Sequence, residues 1–375
     1  MIIDRIEVRI ATRRYESHFR NPHLTWREKH ALLVFVEAGG IWGVGEAWCD
    51  GGSPEPVAAY IQADLAPLIL GQDVSRPAAL FARLLATGKM GLRGSALHSA
   101  ASGLEIAAWD CWAKCLGAPL WRVLGGMRNR VPCYTSGGFY AKGYGPDDLA
   151  RDMAAGLSIG GCGVKIKGGL GTPTQEAARV AAVREAIGPH AWLMVDFLFA
   201  PDRQQAIAMA SGFADHHIRF LEAPTSLDDM EGWREIRTAT GLPLAGPEVA
   251  SGLDRFRAAI EIAQVDYLQA DAIICGGISE AMRIGALAAA HHRPYSLHCS
   301  GSAVSLAANA AVAAACPTGD SIEYHLLHNT FFDRLNEWGY RFAGGNLEMS
   351  ERPGLGIDLH PDHPDLSART VAIGA

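Results

Sequence analysis

The sequence lacks a net positive charge and the motifs of nucleic-acid binding. Charged residues make up 19% of the 375 residues, and the formal net charge is −7. A protein whose main partner is nucleic acid needs a basic face that neutralises phosphates. No arginine-rich stripe with interleaved aromatic residues is present. We therefore expect no nucleic-acid partner.

Paired cysteine motifs are also missing. The eight cysteines include no CxxC pair, and Cys111 and Cys115 are spaced as one turn of a helix. This usage favours buried free thiols in a reducing cytosol, and disulfides are the less favoured alternative.

Long uninterrupted apolar runs are absent as well. The Ala-rich run at 303–316 contains Ser305 and Asn309 and is too short to cross a membrane, so we interpret it as a core helix. The first residues include the charged Asp4 and Arg5, where a signal peptide needs an apolar core. We expect a cytoplasmic protein with no membrane partner.

What is present indicates a large α/β protein. A hydrophobic content of 49% is typical of a compact globular chain. At 375 residues the chain is too long for one ordinary core, which favours a large barrel with a smaller domain. Residues 1–129 are predicted to form an α+β domain, with strands at 6–10, 31–37 and 41–47 and helices at 56–70, 77–86, 95–116 and 119–124.

A polar segment separates the first two predicted strands, and we interpret it as a loop. A solvated surface loop is the ordinary interpretation of such a segment. Its basic side chains are Arg13, Arg14, His18, Arg20, His23, Arg27, Lys29 and His30.

Strand-like and helical patterns alternate strictly over the second predicted domain, 130–342. Strict alternation of this kind predicts a parallel barrel. A doubly wound sheet is the alternative, but no GxGxxG follows the first strand. The tail, 343–375, is predicted to leave the barrel and return to the first domain. The eight strand-like runs are 131–134, 164–167, 193–196, 218–222, 243–248, 267–271, 295–298 and 321–324.

Three acidic residues close successive strand-like runs at equal spacing. Asp196, Glu222 and Glu248 are 26 residues apart, about the length of a strand, a helix and two loops. Each carboxylate is therefore expected at the C-terminal end of a parallel strand, where barrel enzymes carry their chemistry.

Three carboxylates in one pocket repel one another, and a bound cation removes the conflict. Ligands that are all oxygen favour a hard ion, and Mg²⁺ is the predicted cofactor. The alternative is that each acid caps the N-terminus of the following helix.

Basic residues are predicted at the ends of other strands. In Lys165-Ile166-Lys167, alternation puts both ammonium groups on one face, where one of them can serve as a neutral base. A solvated lysine pair is the alternative. Asp271 and His298 end the sixth and seventh predicted strands and can form a dyad in which the carboxylate orients the ring. A structural histidine is the alternative there.

The end of the eighth strand adds Glu323, which could hydrogen-bond a substrate carboxylate if protonated, or shape the pocket. A cation with an ammonium base on one side and an imidazole base on the other suits removal of a proton next to a carboxylate. The cation and Lys165 would stabilise the enediolate that forms.

Several motifs spread along the chain are shared with one family. They are Gly103-Leu104-Glu105-Ile106-Ala107-Ala108-Trp109-Asp110, Leu124-Gly125-Gly126, Lys165-Ile166-Lys167, Phe220-Leu221-Glu222-Ala223-Pro224, Asp271 with Gly276-Gly277-Ile278-Ser279, Ser296-Leu297-His298 and Pro353-Gly354-Leu355-Gly356-Ile357. In these the chain resembles the enolase superfamily, in its mandelate racemase subgroup. The resemblance covers nearly the whole chain. It implies a modified TIM barrel of the (β/α)7β type with an N-terminal α+β capping domain, completed by the C-terminal tail.

The resemblance also implies a role for each candidate residue. Mg²⁺ would bind Asp196, Glu222 and Glu248, in a family whose pattern is a Lys or His base with this metal. Lys167 and His298 would be the two acid/base residues.

Further roles follow from the same resemblance. Asp271 would orient His298, while Lys165 and Glu323 would contact the substrate carboxylate. One departure concerns the metal site, because many members have Asn two residues after the first metal ligand and this chain has Leu198. Relatives often form even-numbered assemblies, so we expect a homo-oligomer.

The family's first cap loop closes the pocket and sets specificity. Arg14, His18 and Arg20 are therefore predicted to bind substrate, a small-molecule carboxylate. A polar, cationic loop favours dehydration of a polyhydroxy acid to a 2-keto-3-deoxy acid. The alternatives are a racemase or epimerase of a 2-hydroxy or related acid, and a barrel that binds a ligand without catalysis.

Overall fold

The computed structural model describes residues 1–49, 52–87, 94–332, 334–366 and 370–371. Within these ranges an antiparallel sheet with helices forms a cap, and eight parallel strands form a closed barrel. The predicted class, an α/β barrel with an α+β cap, is confirmed.

The cap sheet begins with three antiparallel strands. They are β1 (Ile3–Arg20), β2 (Thr25–Ala38) and β3 (Ile41–Ala47). Their apolar faces pack against the cap helices, so the central part of each strand is buried.

The polar segment that we predicted to be a loop is instead a hairpin extension of this sheet. Arg14 pairs with Glu28, and Arg20 pairs with Thr25. The turn is closed by the Asn21 side chain, which accepts hydrogen bonds from two backbone N–H groups at 2.8 and 2.7 Å. Polar residues dominate here because the hairpin projects beyond the core, so no apolar alternation marks it as a strand pair.

Helix α4 (Ser95–Cys115) lies between the cap sheet and the barrel, and its burial explains why it is apolar on most sides. Gly45 of β3 permits close contact, because a Cβ there would lie 2.1 Å from the carbonyl oxygen of Gly103 in α4. The cap helices are α1 (Glu55–Tyr60), α2 (Ala66–Ile69), α3 (Pro77–Ala86), α4 (Ser95–Cys115) and α5 (Leu120–Val123).

Eight parallel strands form the barrel, as predicted. The last strand pairs with the first in parallel, which closes the sheet and excludes the doubly wound alternative. The strands are β4 (Arg130–Gly137), β5 (Gly163–Lys167), β6 (Trp192–Asp196), β7 (Phe220–Glu222), β8 (Leu244–Gly246), β9 (Tyr267–Ala270), β10 (Tyr295–Leu297) and β11 (Gly319–His325).

Seven helical connections join these eight strands, which is the expected (β/α)7β type. The Ala-rich run is a fully buried helix, α13 (Ala303–Ala315). None of the helices in the described ranges is long and apolar enough to cross a membrane. All eight cysteines are free thiols, as predicted, but Cys49, Cys115 and Cys162 are only partly buried. The barrel helices are α6 (Pro146–Leu157), α7 (Pro173–Ile187), α8 (Arg203–Ala210), α9 (Met230–Thr240), α10 (Leu253–Ala258), α11 (Ala272–Cys275), α12 (Ile278–Ala290) and α13 (Ala303–Ala315).

The tail of the chain extends both sheets. β12 (Arg341–Ala343) and β13 (Asn346–Glu348) form a hairpin that pairs antiparallel with β4. The boundary that we placed between residues 342 and 343 thus falls inside β12. A final strand, β14 (Thr370–Val371), pairs antiparallel with β1, so the tail returns to the cap as predicted.

Two buried carboxylates of the cap hold the first turns of two barrel helices. Glu46 accepts a hydrogen bond from the backbone N–H of Ser302, next to α13, at 3.0 Å. Glu105 of α4 accepts hydrogen bonds from the N–H groups of Ile278 and Ser279 in α12 at 2.7 and 3.0 Å. First-turn N–H groups have no partner inside their own helix, and the helix dipole favours negative charge there. Burial raises the pKa of each carboxyl to about 7, although these hydrogen bonds oppose the rise.

Replacing Glu105 by Ala is expected to lower the free energy of unfolding by about 3 kcal/mol, because buried N–H groups of the barrel lose their acceptor. Urea denaturation followed by circular dichroism measures the effect. Glu185→Ala, at an exposed position of α7, is the control and should leave the midpoint nearly unchanged. Equal midpoints for the two variants would show that Glu105 does not stabilise the contact.

Candidate active site

A cavity of about 220 Å³ lies between the cap and the C-terminal ends of the barrel strands. The predicted residues Lys167, Glu248 and His298 line it from the barrel side. The C-terminal ends of parallel barrel strands are where such enzymes carry their sites. From the cap, the lining residues are Asn21, His23, Leu24, Trp26 and Trp48.

The three predicted metal ligands lie together at this end of the barrel. Asp196 ends β6 and is the register partner of Glu222, which ends β7, while Glu248 follows β8. One oxygen of each carboxylate lies within 4.8 Å of the others, and all three side chains are buried. They do not cap the following helices, whose N-cap residues are Asp202, Asp229 and Gly252.

The raised pKa and the unpaired oxygen of Glu248 indicate that this cluster favours a bound positive charge. Burial, together with the charges of Glu222 and Asp196, raises the pKa of Glu248 to about 8. Its Oε2 has no hydrogen-bond partner among the described residues. A hard divalent cation supplies both the positive charge and the partner for carboxylate oxygens. The three residues therefore fit Mg²⁺.

A second group, Glu222, His298 and Glu323, also brings potential ligand atoms within 4.8 Å of one another. The ammonium of Lys165 already lies there, at 2.5 Å from Glu222 and 3.1 Å from Glu323. Because a protein cation neutralises this second group, the first group is the better metal site.

Lys165 and Glu323 lie in a buried group of charges, which bears on the roles predicted for them. Burial alone would lower the pKa of Lys165, but Glu222 and Glu323 raise it well above its ordinary value. These contacts favour the ammonium form of Lys165, and its side chain is 0% exposed. Burial alone would raise the pKa of Glu323, but Lys165 and His298 hold it below its ordinary value. Glu323 is therefore ionised and not a protonated donor to a carboxylate.

Lys167 occupies the other position of the pair and reaches the cavity. Its Nζ donates to Asp196 Oδ2 at 2.6 Å, and its side chain is 5% exposed. Arg179 donates to its backbone carbonyl at 3.1 Å, which fixes the end of β5. Alternation along β5 puts both lysine side chains on the inner face of the barrel. Lys165 lies deeper in the interior, and Lys167, at the end of the strand, lines the cavity.

His298 and Asp271 form the predicted contact at the ends of β10 and β9. His298 Nδ1 lies 3.1 Å from Asp271 Oδ2, and its Nε2 lies 3.7 Å from Glu323. Asn309 donates to the other oxygen of Asp271 at 2.7 Å, which orients the carboxylate. Burial lowers the pKa of His298, but Glu323 and Asp271 outweigh it and raise the pKa to about 9. The ring is therefore an imidazolium at neutral pH.

The substrate-binding residues predicted in the cap are not found at the cavity where the structure describes their side chains. Arg14 and Arg20 do not line the cavity. The Arg14 side chain is 86% exposed and lies 3.5 Å from Glu28, and Arg20 pairs through its backbone with Tyr140. The His18 side chain lies outside the described residues. Because this segment is a hairpin, its turn and the start of β2 reach the cavity instead.

Two histidines of the cavity wall were missed from the sequence. His325 lies two residues after Glu323 on β11, so strand alternation puts both on one face, and that spacing was the available signal. His328 follows in the next loop, where no pattern marks it. Both side chains are buried and line the cavity.

The position where many family members have Asn is served by the main chain. Leu198 has a left-handed backbone with φ of 52°. Its N–H donates to Asp196 Oδ1 at 2.8 Å, and its carbonyl lies 2.6 Å from His23 Nε2. The backbone of Leu198 therefore makes the polar contact that its side chain cannot make, and it ties the cap turn to the barrel.

Comparison with known proteins assigns the family. The model for "Mandelate racemase / muconate lactonizing enzyme, N-terminal domain" matches residues 5–125, and that for "Enolase C-terminal domain-like" matches residues 148–363. Arabinonate dehydratase of Saccharolobus solfataricus is 31% identical over 321 residues, 85% of each chain. D-galactarolactone cycloisomerase of Agrobacterium fabrum is 30% identical over 374 residues, 96% of this chain and 97% of that one.

A solved structure extends the likeness to a metal-bound protein. It is L-talarate/galactarate dehydratase from Salmonella typhimurium LT2 liganded with Mg and L-lyxarohydroxamate, with a TM-score of 0.88 and 26% identity. The match covers 100% of this chain and 95% of that one. With both family models matched, the chain belongs to the enolase superfamily, in the mandelate racemase and muconate lactonizing enzyme group, and it is an enzyme.

Proposed function

We propose that this enzyme removes the proton α to the carboxylate of a polyhydroxy acid and eliminates the β-hydroxyl, which gives a 2-keto-3-deoxy acid. The observation that carries the proposal is that Lys167 and His298 line the same cavity as Glu248. Two acid/base groups beside a carboxylate cluster suit proton removal at one carbon and assisted loss of a leaving group at the next. The names of arabinonate and L-talarate/galactarate dehydratase among the relatives support this reaction.

Asp196, Glu222 and Glu248 are proposed to hold Mg²⁺. When bound there, the ion neutralises the substrate carboxylate and stabilises the enediolate charge. The buried and mutually repelling state of these carboxylates supports the assignment, as does the Mg in the solved dehydratase.

The two cavity residues are assigned different roles. Lys167, in its unprotonated form, accepts the α-proton as the C–H bond breaks. His298 is held as an imidazolium by Glu323 and Asp271. His298 donates its imidazolium proton to the β-hydroxyl as the C–O bond breaks, so that water leaves. The resulting enol takes up a proton at the former β-carbon and becomes the 2-keto acid.

The substrate class no longer rests on a cationic cap loop, since Arg14 and Arg20 lie outside the cavity lining. It rests on the relatives, whose printed names refer to sugar acids or their lactones. A racemase or epimerase is the second candidate, because two proton-transferring groups face one cavity. A barrel that only binds a ligand is set aside, because relatives over most of the chain are named as enzymes. A homo-oligomer and a cytoplasmic location remain predictions.

Incubation with Mg²⁺ and a panel of aldonic and aldaric acids is expected to give a 2-keto acid, detected with semicarbazide. Lys167→Ala and His298→Ala should each lower kcat/KM by about 10²–10⁴-fold, because each removes a proton-transfer group. The exposed residues Lys142 and His190 provide matched Ala controls with near wild-type rates. If no acid gives a 2-keto product while α-deuterium exchange occurs with inversion, the racemase alternative replaces the dehydratase.

Asp271→Asn tests how the protonated state of His298 is maintained. The Asp271 carboxylate helps raise the pKa of His298 to about 9, so its neutral replacement lowers that pKa. The alkaline decline of kcat/KM is expected to move to lower pH by about one unit or more. An unchanged pH profile would contradict the role of Asp271 as a positioning residue.

Removal of the metal is expected to lower the thermal stability of the protein, which can be measured without turnover. Mg²⁺ should raise the Tm of the chelator-treated protein, because a ligand that binds only the folded state stabilises it. Glu248→Gln should abolish the rise, while Glu261→Gln, at an exposed position, should retain it. A rise of equal size in both variants would place the metal elsewhere.

A further inference from the structure

Four aromatic rings form one wall of the cavity, and the proposed reaction does not use them. We call Trp26, Phe139, His325 and His328 the ring wall. Trp26 lies 5.2 Å from Phe139 and 6.0 Å from His328, measured between ring centroids. Phe139 lies 5.5 Å from His325, which stacks on His328 at 3.7 Å with an angle of 7° between the planes. The wall joins the cap to the last barrel strand.

The tautomer of His328 is fixed by a lysine of the cap. Lys29 Nζ lies 3.2 Å from His328 Nδ1 and donates to the carbonyl of Ser300 at 3.0 Å. An ammonium has donors only, so His328 Nδ1 must accept. Burial and the positive charge of Lys29 lower the pKa of His328 well below its ordinary value, so the ring is neutral. The single ring proton is therefore on Nε2.

Two donors of the ring wall have no acceptor in the described part of the chain. They are Nε2 of His328 and Nε1 of Trp26, both buried. A buried N–H without a partner costs free energy and is uncommon in folded proteins. Both residues line the cavity, where Glu248 is the one acidic residue among the described lining residues. The ring wall is thus suited to a ligand group that accepts hydrogen bonds.

We propose that Trp26 and His328, with Lys29 behind His328, bind a second carboxylate of the substrate, at the end remote from the reacting carbon. The enzyme is then selective for dicarboxylic sugar acids over the matching monocarboxylic acids. This inference rests on the proposed function for the reacting end only. The reacting carboxylate belongs at Glu248, Lys167 and His298, and the second carboxylate belongs at the ring wall.

The choice of an anion over a neutral hydroxyl follows from Lys29. Its ammonium contacts the imidazole on the side opposite to Nε2, so its positive charge polarises the Nε2–H bond toward the cavity. Hydrogen bonds to ionised acceptors are stronger than those to neutral ones. Lys29 is a positioning residue here, because it acts through the tautomer and polarity of His328.

Galactarate and galactonate provide the test, since they differ only in a carboxylate or a hydroxymethyl group at carbon 6. Wild-type kcat/KM is expected to be at least about tenfold higher for galactarate, the size of one charge-assisted hydrogen bond. Glucarate and gluconate form a second matched pair for the case in which the galacto configuration is not accepted.

Variants then assign the preference to the ring wall. Trp26→Phe keeps an aromatic ring without the N–H, and His328→Leu removes the other donor. Each should reduce kcat/KM for the diacid about tenfold or more, mainly through KM, and leave the monoacid within about threefold. His328→Gln restores an N–H near the position of Nε2 and should recover part of the loss. Lys29→Met should weaken the diacid preference as well.

Equal losses on both acids, or equal wild-type rates for the diacid and the monoacid, would overturn the inference and leave the dehydratase proposal intact. Calorimetric binding of both acids to the Mg²⁺-loaded wild-type protein separates the two proposals if the dehydratase proposal fails. If no acid is converted, tighter binding of the diacid that His328→Leu abolishes still supports the subsite. Equal binding of the two acids overturns it.

Discussion

The mutual repulsion of three buried carboxylates is the constraint on which the rest of the site depends. Asp196, Glu222 and Glu248 come together because successive parallel strands end at one rim, and burial leaves little water to screen them. Two lysines of β5 offset part of this repulsion, because Lys165 contacts Glu222 and Lys167 contacts Asp196. In the part of the chain that the structure describes, Glu248 Oε2 has no hydrogen-bond partner. This unpaired carboxylate oxygen makes the cluster suitable for a divalent cation.

A second group of charges surrounds His298, and there the negative charges are matched by a positive one. Here two carboxylates, Asp271 and Glu323, surround one imidazole and keep it protonated. Lys165 lies between the two groups, because it contacts both Glu222 and Glu323. One buried ammonium thus contacts both the acidic cluster and the histidine side, and Lys167 is the lysine that lines the cavity.

The cap contributes to the site in two physically separate ways. Glu46 and Glu105 hold the first turns of barrel helices, so the cap is fixed on the barrel by charge–dipole contacts away from the cavity. The hairpin and its neighbours then bring Trp26 and Lys29 to the cavity, where they meet His328 of the barrel. The acidic cluster, Lys167 and His298 therefore belong to the barrel, while the ring wall is shared between the cap and the barrel.

The sequence by itself determined the elements whose side chains repeat with the period of their backbone. Eight strands and the acids at their ends follow from that regularity, because strand alternation and the length of one βα unit are local properties. The hairpin at Arg14 to Glu28 was missed because it projects from the core and carries no apolar alternation. Only the tertiary structure decided the charge states of Lys165 and Glu323, since each depends on partners from other strands. It also decided the ring wall, because Trp26 and His328 are about 300 residues apart and only the docking of the cap on the barrel brings their rings together.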